Sequence, residues 1–339
     1  MYILGTMYYL YKSEKRATFL DISKRISKKH NTSRIKVMLD MIWCSVRYGA
    51  MWTEYNDLDF YLRSGKNRAT FITTFYNFKL YNILNEKNYR NIFHEKILFL
   101  ESFKDFIKRE WIKIDGKSDE EIKNFLLSHK NIVAKASYGD SGQQIEVLHL
   151  SEDDDLNKTV DYIRQRKLNL LEEQIYNCDE IKKLNPTSLN TLRIVSVVQN
   201  GCVNILFAGI RVGSRDAEID NISQGGKVAR IDISSGKIDS VFYVKSSSCD
   251  FSFSNGDNDD AIGFQIPLWN EVIETVRSAA LKIPQIRFVA WDVAITPNSI
   301  ELVEGNESFG SVIMQLTYSE TENGLKPELV KILNDGKKK

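Results

Sequence analysis

Residues 288–306 constrain this chain more than any other stretch, because they spell a hairpin with acids at its ends. Phe288–Val293 and Ser299–Val303 read as two strands around the turn Thr296-Pro297-Asn298. A tight turn brings the ends of such a hairpin together, so Asp292 meets Glu304-Gly305-Asn306, which begins 12 residues later. Asp292, Glu304 and Asn306 then offer three converging hard oxygen ligands. That is what a Mg²⁺ ion bound to nucleotide phosphates requires. Acids that merely flank a hairpin in solvent are the competing reading.

With 339 residues the chain is long enough for a substantial core and for two or three lobes. Charged residues at 27% and hydrophobic ones at 42% fit a globular protein and argue against disorder. The net charge of +1 hides an asymmetry: residues 1–48 carry ten Lys/Arg against three acids, a balance of +7, which leaves −6 for the rest. Such a basic segment can attract an anionic membrane face or an acidic glycan, although a solvated helical surface is the plainer reading. Cys44, Cys178, Cys202 and Cys249 are scattered without a CxxC pair, as expected of reduced thiols in a cytosolic protein. Met1–Tyr11 is apolar but too short to span a bilayer, and it lacks a basic leader and a small-residue cleavage site. A soluble, cytoplasmic chain is therefore expected, with peripheral contact to the inner face of the membrane open to the basic N-terminus. Oligomeric state is not readable from these features.

The organisation expected is α+β. Residues 1–93 read as a mainly helical, aromatic-rich domain, 94–180 as a first mixed lobe and 181–335 as a second. Within the first lobe, Glu95–Ile112 reads as one amphipathic helix, since Ile97, Leu100, Phe103, Ile107 and Trp111 recur near helical spacing. A short helix Asp119–Leu127, strands Asn131–Ala136 and Gln144–Leu148, a helix Asp154–Arg166 and a strand Leu170–Ile175 follow. From Thr191 strands dominate: Leu192–Val198, Val203–Arg211, Val228–Ile233 and Ile238–Val244, with a turn at Ser234–Lys237. Ser246–Asp260 reads as a polar loop, Pro267 as the start of a helix, and Pro327–Asn334 as the last helix.

Other segments carry chemistry of their own. Lys135 ends a strand and is followed by Ala136–Gly142, a flexible Gly-bearing loop that includes Ser141 and Gly142. A strand lysine beside such a loop can neutralise a phosphate while backbone N–H groups fold over the others. It is no Walker A loop, and Gly139-Asp140-Ser141-Gly142 lacks the histidine and disulfide context of a serine protease. Leu171–Ile175, with Glu172, Glu173 and Ile175, reads equally as an interlobe hinge or a plain strand edge. Arg193 heads one strand and Arg211 ends another, each able to present a planar fork to phosphate or carboxylate. Asp220-Asn221 and Gly225-Gly226 mark a loop that can approach a ligand closely.

In their order these segments resemble the ATP-grasp superfamily, and more narrowly the sugar-transfer-associated ATP-grasp family found among bacterial surface-polysaccharide genes. The narrower resemblance rests on Arg68–Thr73, Ser188–Ile194, Asp220-Asn221 with Gly225-Gly226, Ala229–Asp232 with Ser235-Gly236, Ile266–Trp269, and Ala290–Ile295 ahead of Glu304–Asn306. It implies an ATP-grasp fold in which two α+β lobes clasp ATP behind the helical N-terminal segment. It further implies that Lys96 and Lys135 contact phosphates and that the hinge Glu172–Ile175 holds adenine through main-chain groups. Glu180 or Asp179 would reach the ribose. Asp292, Glu304 and Asn306 would hold one or two Mg²⁺ ions, with Mn²⁺ also compatible, and Arg193 and Arg211 would face the γ-phosphate and an acceptor carboxylate. Two departures stand out: no His-Pro precedes Ile266-Pro267, and the N-terminal lobe lacks a complete Rossmann-like unit.

The activity so implied is that of a carboxylate–amine ligase working through an acylphosphate, on a sugar acid or amino acid destined for capsule, O-antigen or exopolysaccharide. A small-molecule kinase would share the ATP site. A glycan-modifying transferase would want a DxD metal site, which Asp57-Leu58-Asp59 matches in form only. Nucleic-acid binding is not expected, because no recognised module accompanies the basic N-terminus.

Overall fold

The computed structural model describes residues 16–138, 145–213, 226–245, 251–253, 261–318 and 323–335. Two antiparallel sheets organise it. Four strands, β1 (Trp111–Lys113), β2 (Asn131–Lys135), β3 (Ile145–His149) and β4 (Leu170–Glu173), lie in the order β1-β4-β2-β3. The other seven are β5 (Thr191–Gln199), β6 (Cys202–Val212), β7 (Lys227–Arg230), β8 (Tyr243–Lys245), β9 (Phe251–Phe253), β10 (Phe288–Ile295) and β11 (Ile300–Asn306). They lie in the order β11-β10-β5-β6-β7-β8-β9.

The central strands of the large sheet read as near-continuous apolar runs, and every residue of β10 is buried. Such a run needs cover on both faces. One face packs under the helix Trp269–Lys282, together with Ile97, Leu100 and Phe103, against Ile194, Ala208, Val289 and Trp291. The other packs Ile72, Leu80 and Leu84 with Leu329 and Ile332 against Val195, Val197, Phe207 and Phe288. The four-stranded sheet has its own core, in which Ile122, Leu126, Val160 and Ile163 of the helices Asp119–Ser128 and Leu156–Gln165 cover Ile132, Ala134 and Leu171.

Most expected elements form within a residue or two of their expected bounds, but the strand expected at Val228–Ile233 ends at Arg230. Of Ile238–Val244 only Tyr243 and Val244 fall in a strand, Ile238 making an isolated bridge to Ile231. Glu95–Ile112 is not one helix. It splits into a helix Lys96–Ser102, a 3₁₀ turn Lys104–Phe106 and an extended run into β1. Ile97, Leu100, Phe103 and Ile107 all reach the same core regardless, so their spacing could not distinguish the two paths. The helix expected from Pro267 begins at Trp269, because Leu268 adopts a left-handed φ of 51°. Phe251–Phe253, within the expected loop Ser246–Asp260, forms the edge strand β9 against β8.

The segment 72–84 shares a core with the large sheet rather than with residues 19–60 alone, and 97–107 does the same from the opposite face. Cys44, Cys178 and Cys202 carry free thiols. Among the described residues no helix is long and apolar enough to cross a membrane. Met1–Tyr11, Cys249 and Lys337–Lys339 lie outside the described residues.

Candidate active site

Strand pairing assembles the site. Asp292 on β10 stands opposite Glu304 on β11 and opposite Arg193 on β5, and Arg193 in turn faces Gly209 on β6. Directly paired residues share a sheet face, and so do residues two apart on one strand. Glu304, Asn306, Asp292, Arg193 and Arg211 therefore emerge on one side. It is the side on which Phe288, Ala290, Val195, Val197 and Phe207 form core further along the same strands. One sheet face thus grades from apolar packing into a charged patch.

Asp292 is buried and takes both arginines: Arg193 Nε lies 2.9 Å from its Oδ1 and Arg211 Nη1 3.0 Å from its Oδ2. Asn306 Nδ2 donates to Glu304 Oε1 at 3.1 Å. Glu304 is exposed to solvent and stands beside the buried Asp292. Burial pushes the Asp292 carboxyl up to about 7, outweighing Arg193 and Arg211, and the neighbouring Glu304 charge adds to the rise. Glu304 is held down to about 2. Its enclosure opposes this, but hydrogen bonds from Asp292 and Asn306 and the two arginine charges prevail. Two adjacent carboxyl groups that share a proton in this way form one coupled pair.

The donor set suits a hard divalent cation. Two carboxyl groups face each other across the paired strands. Asp292 Oδ1 has the Arg193 charge beside it but accepts no well-directed hydrogen bond. The bond from Asn306 Nδ2 leaves its amide oxygen as a third donor. Among the described residues no three His, Cys, Asp or Glu side chains cluster to hold a metal, so a cation here relies on the Asn306 amide beside two acids.

The hairpin is braced from behind. Gly305, paired with Trp291, lies against Phe93 and Phe99, and a Cβ there would stand 2.9 Å from Phe99 and 3.0 Å from Phe93. Those rings stack with Phe103 and Trp291 at centroid separations of 4.7–6.0 Å. Gly305→Ala should therefore cost about 1–3 kcal/mol by overpacking and displace Glu304 and Asn306 on either side. Thermal unfolding and ATP turnover read the two effects separately.

The small sheet contributes a second charged group. Lys135 and Glu172 are diagonal neighbours on β2 and β4, on the face opposite that sheet's helices, and they form an ion pair. Arg109 joins Glu172 at 2.8 Å, reaches Glu301 on β11 at 3.1 Å, and donates to the Leu302 and Val303 carbonyls. Burial alone would push Glu172 up, but Lys135 and Arg109 outweigh it and hold the carboxyl down at about 2. The Glu172 carboxylate is thus committed to cations, and its backbone is paired on both sides, with Trp111 and Val133. The Glu173 N–H is taken by Glu110 and that of Gln174 by Asn131.

Ile175 follows, half-buried, and Asn177 and Cys178 pin this segment to Asn190 and Ile295 at the end of the large sheet. Glu180 is exposed in the first turn of the helix Asp179–Lys182. Lys96 heads its helix, with its N–H on Ser137 O, and the Glu95–Tyr138 bridge sets it beside the end of β2. Ser141, Gly142, Asp220, Asn221 and Gly225 lie outside the described residues.

Arg109 and Glu301 carry no signal in the sequence: Lys108-Arg109-Glu110 reads as a solvated charge run, and Glu301 as an outward strand residue.

Over residues 66–334 the chain matches the family model described as sugar-transfer associated ATP-grasp. No curated protein matches it. Among solved structures it is similar to the ATP-grasp ligase PsnB complexed with a precursor peptide and AMPPNP, at 12% identity and a TM-score of 0.42, over 75% of this chain and 63% of that one. It is similar to D-alanyl-alanine synthetase A from Vibrio cholerae at 12% identity and a TM-score of 0.41, over 72% and 65% of the two chains. It is also similar to a Chryseobacterium gregarium RiPP-associated ATP-grasp ligase in complex with ADP and a leader and core peptide, at 16% identity and a TM-score of 0.43, over 76% and 66%. The chain spans less than two thirds of the length of each of the three.

Proposed function

The chain belongs to the sugar-transfer associated ATP-grasp family, and from that premise we propose that it is an ATP-dependent carboxylate–amine ligase. The observation that carries the proposal is the cross-strand row of Glu304, Asp292 and Arg193 with Arg211 on the same carboxylate. In this reading it would gather metal ligands and phosphate-binding forks at one place.

An oxygen of the acceptor carboxylate attacks the γ-phosphorus of ATP, the bond from that phosphorus to the bridging oxygen breaks, and ADP departs. An amine nitrogen then attacks the acylphosphate carbon, the C–O bond to phosphate breaks, and the nitrogen loses a proton as the amide forms. Such a sequence asks the protein for positioning and charge neutralisation more than for covalent help. Asp292, Glu304 and Asn306 would hold Mg²⁺, which when bound neutralises charge on the phosphate oxygens. Arg193 and Arg211 would exchange their contacts with Asp292 for the γ-phosphate and the acceptor carboxylate. Lys96 and Lys135 would meet the other phosphates, and the loop bearing Ser141 and Gly142 would close over them to exclude water. The main chain of Glu172, Glu173 and Ile175 would line the adenine, and Glu180 the ribose.

The family's description as sugar-transfer associated supports a link to sugar transfer. The acceptor in this reading is a sugar acid or amino acid bound for a surface polysaccharide, handled in the cytoplasm where ATP is present. The first test is thermal unfolding with ATP, GTP, CTP and UTP, each with Mg²⁺ or with EDTA. ATP with Mg²⁺ at a hundredfold excess over its Kd should stabilise the fold by about 2.7 kcal/mol. No response to any adenine nucleotide defeats the reading. Products formed with and without an amine then separate a ligase from a kinase.

A further inference from the structure

The helix Arg34–Tyr48 is apolar on two sides. Val37, Met41 and Cys44 are buried against residues 19–60, as a core-facing stripe should be. On the opposite side Ile35, Leu39, Ile42, Trp43 and Val46 are 70%, 63%, 43%, 56% and 43% exposed. Their spacing of i, i+4, i+7, i+8 and i+11 sets all five on a single stripe about 16 Å long. A helix that is apolar all round belongs in an interior, and a contiguous exposed stripe marks an interaction surface.

Charge supplies the identity of the partner. Lys36 and Arg47 are exposed along one side of the stripe. Arg47 also belongs to a cluster of like charges. Lys326, half-buried over the Tyr76 ring at 4.1 Å, has its ammonium pKa pushed down by burial and then by the charges of Arg47 and Lys79. Exposed Lys36 and Arg47 beside the stripe, in a segment 1–48 whose charge balance is +7, complement an anionic surface. Lys326 lies near enough to Arg47 and Lys79 to feel their charge. The stripe is a row of Ile, Leu, Val and Trp on one helix with Lys36 and Arg47 along one side of it. That is the form of a helix lying in a lipid headgroup layer, where Trp is favoured and lysine and arginine stems bury while their heads stay wet.

We infer that the helix Arg34–Tyr48, with Lys36, Arg47, Lys79 and Lys326, docks this protein on an anionic lipid bilayer. The surface is built from residues other than the candidate ligands of the active site, so its test does not depend on the proposed reaction.

The experiment is sedimentation of the full chain with vesicles of phosphatidylglycerol and phosphatidylcholine, against vesicles of phosphatidylcholine alone. Binding should occur to the anionic vesicles and weaken with salt. Arg47→Glu with Lys79→Glu should lower it by at least about 25-fold, since each cation at an anionic surface is worth roughly a factor of five. Leu39→Ser with Trp43→Ser should abolish it at all salt concentrations, and neither pair alters a buried side chain, so the fold should survive. Equal binding to both vesicle types, or to neither, overturns the inference. So does a dimer in sedimentation velocity that Leu39→Ser with Trp43→Ser turns into a monomer without changing vesicle binding, because the face then belongs to a second copy. Shielding of Trp43 from acrylamide in a vesicle-free monomer also overturns it, because the chain then covers the face itself.

Discussion

Asp292→Asn combined with Glu304→Gln should abolish ADP release, by at least about a thousandfold, while the protein stays folded. Both substitutions keep the shape of the side chain and remove the charge a cation would need, and the new amide at position 292 retains an oxygen for Arg193 and Arg211. Circular dichroism and thermal unfolding check the fold, and a coupled ADP assay checks the chemistry. Full turnover by the double variant would leave the hairpin without its proposed role.

Titration of the same pair has a definite sign. The Asp292 pKa is raised from 3.8 to about 7 by burial. The folded state therefore holds that proton more tightly than the unfolded chain does. Its stabilising contribution is complete below about pH 4 and is lost as the pH rises through about 7. Metal-free protein should then unfold at a lower urea concentration at about pH 8 than at about pH 5, and Asp292→Asn should lack that slope. Glu304, lowered to about 2, acts with the opposite sign and only as the pH falls from 4.5 toward that value, outside this window. Added Mg²⁺ should flatten the wild-type slope, since a cation takes the place of the proton.

Where the sequence was legible, local periodicity and contact partners coincided. Strand β10 with its turn and β11 could be read because an apolar run, a Pro-Asn turn and a Glu-Gly-Asn ending sit within 19 residues. The strand that carries Arg193 could be read from its apolar run, but its pairing with the strand of Asp292, 99 positions away, could not. Local periodicity failed at 95–112, where helical spacing persists although the chain does not stay helical. It failed again at Glu172, whose acid character in a strand suggests an exposed edge. The side chain instead sits beneath Lys135 and Arg109, contributed by residues 37 positions before it and 63 before it. Contacts at such separations leave no imprint on local pattern. Gly305 is a related case: its neighbour residues suggest a ligand loop, whereas its lack of a side chain answers Phe93 and Phe99 on the far face.

Arg109→Met should destabilise the protein by about 3–5 kcal/mol. The guanidinium is buried, its side chain 3% exposed, and it joins Glu172 of the small sheet to Glu301 and two carbonyls of β11. Methionine fills much of the volume but leaves both carboxylates without that partner. Glu172 retains Lys135, whereas Glu301 keeps chiefly the Lys108 N–H. Glu301, already pushed up by burial, should therefore protonate, and most of the loss should trace to it. Glu301→Gln in the Arg109→Met background should then recover part of the stability in urea unfolding. Glu172→Gln in that background should recover little, because it strands Lys135 instead. The same link ties the sheet bearing Lys135 to the strand bearing Glu304, so ADP release should fall in Arg109→Met even where the protein is fully folded. A variant as stable as the wild type would mean that the two buried acids do not depend on this arginine, and the mechanical joining of the sheets would have to lie elsewhere.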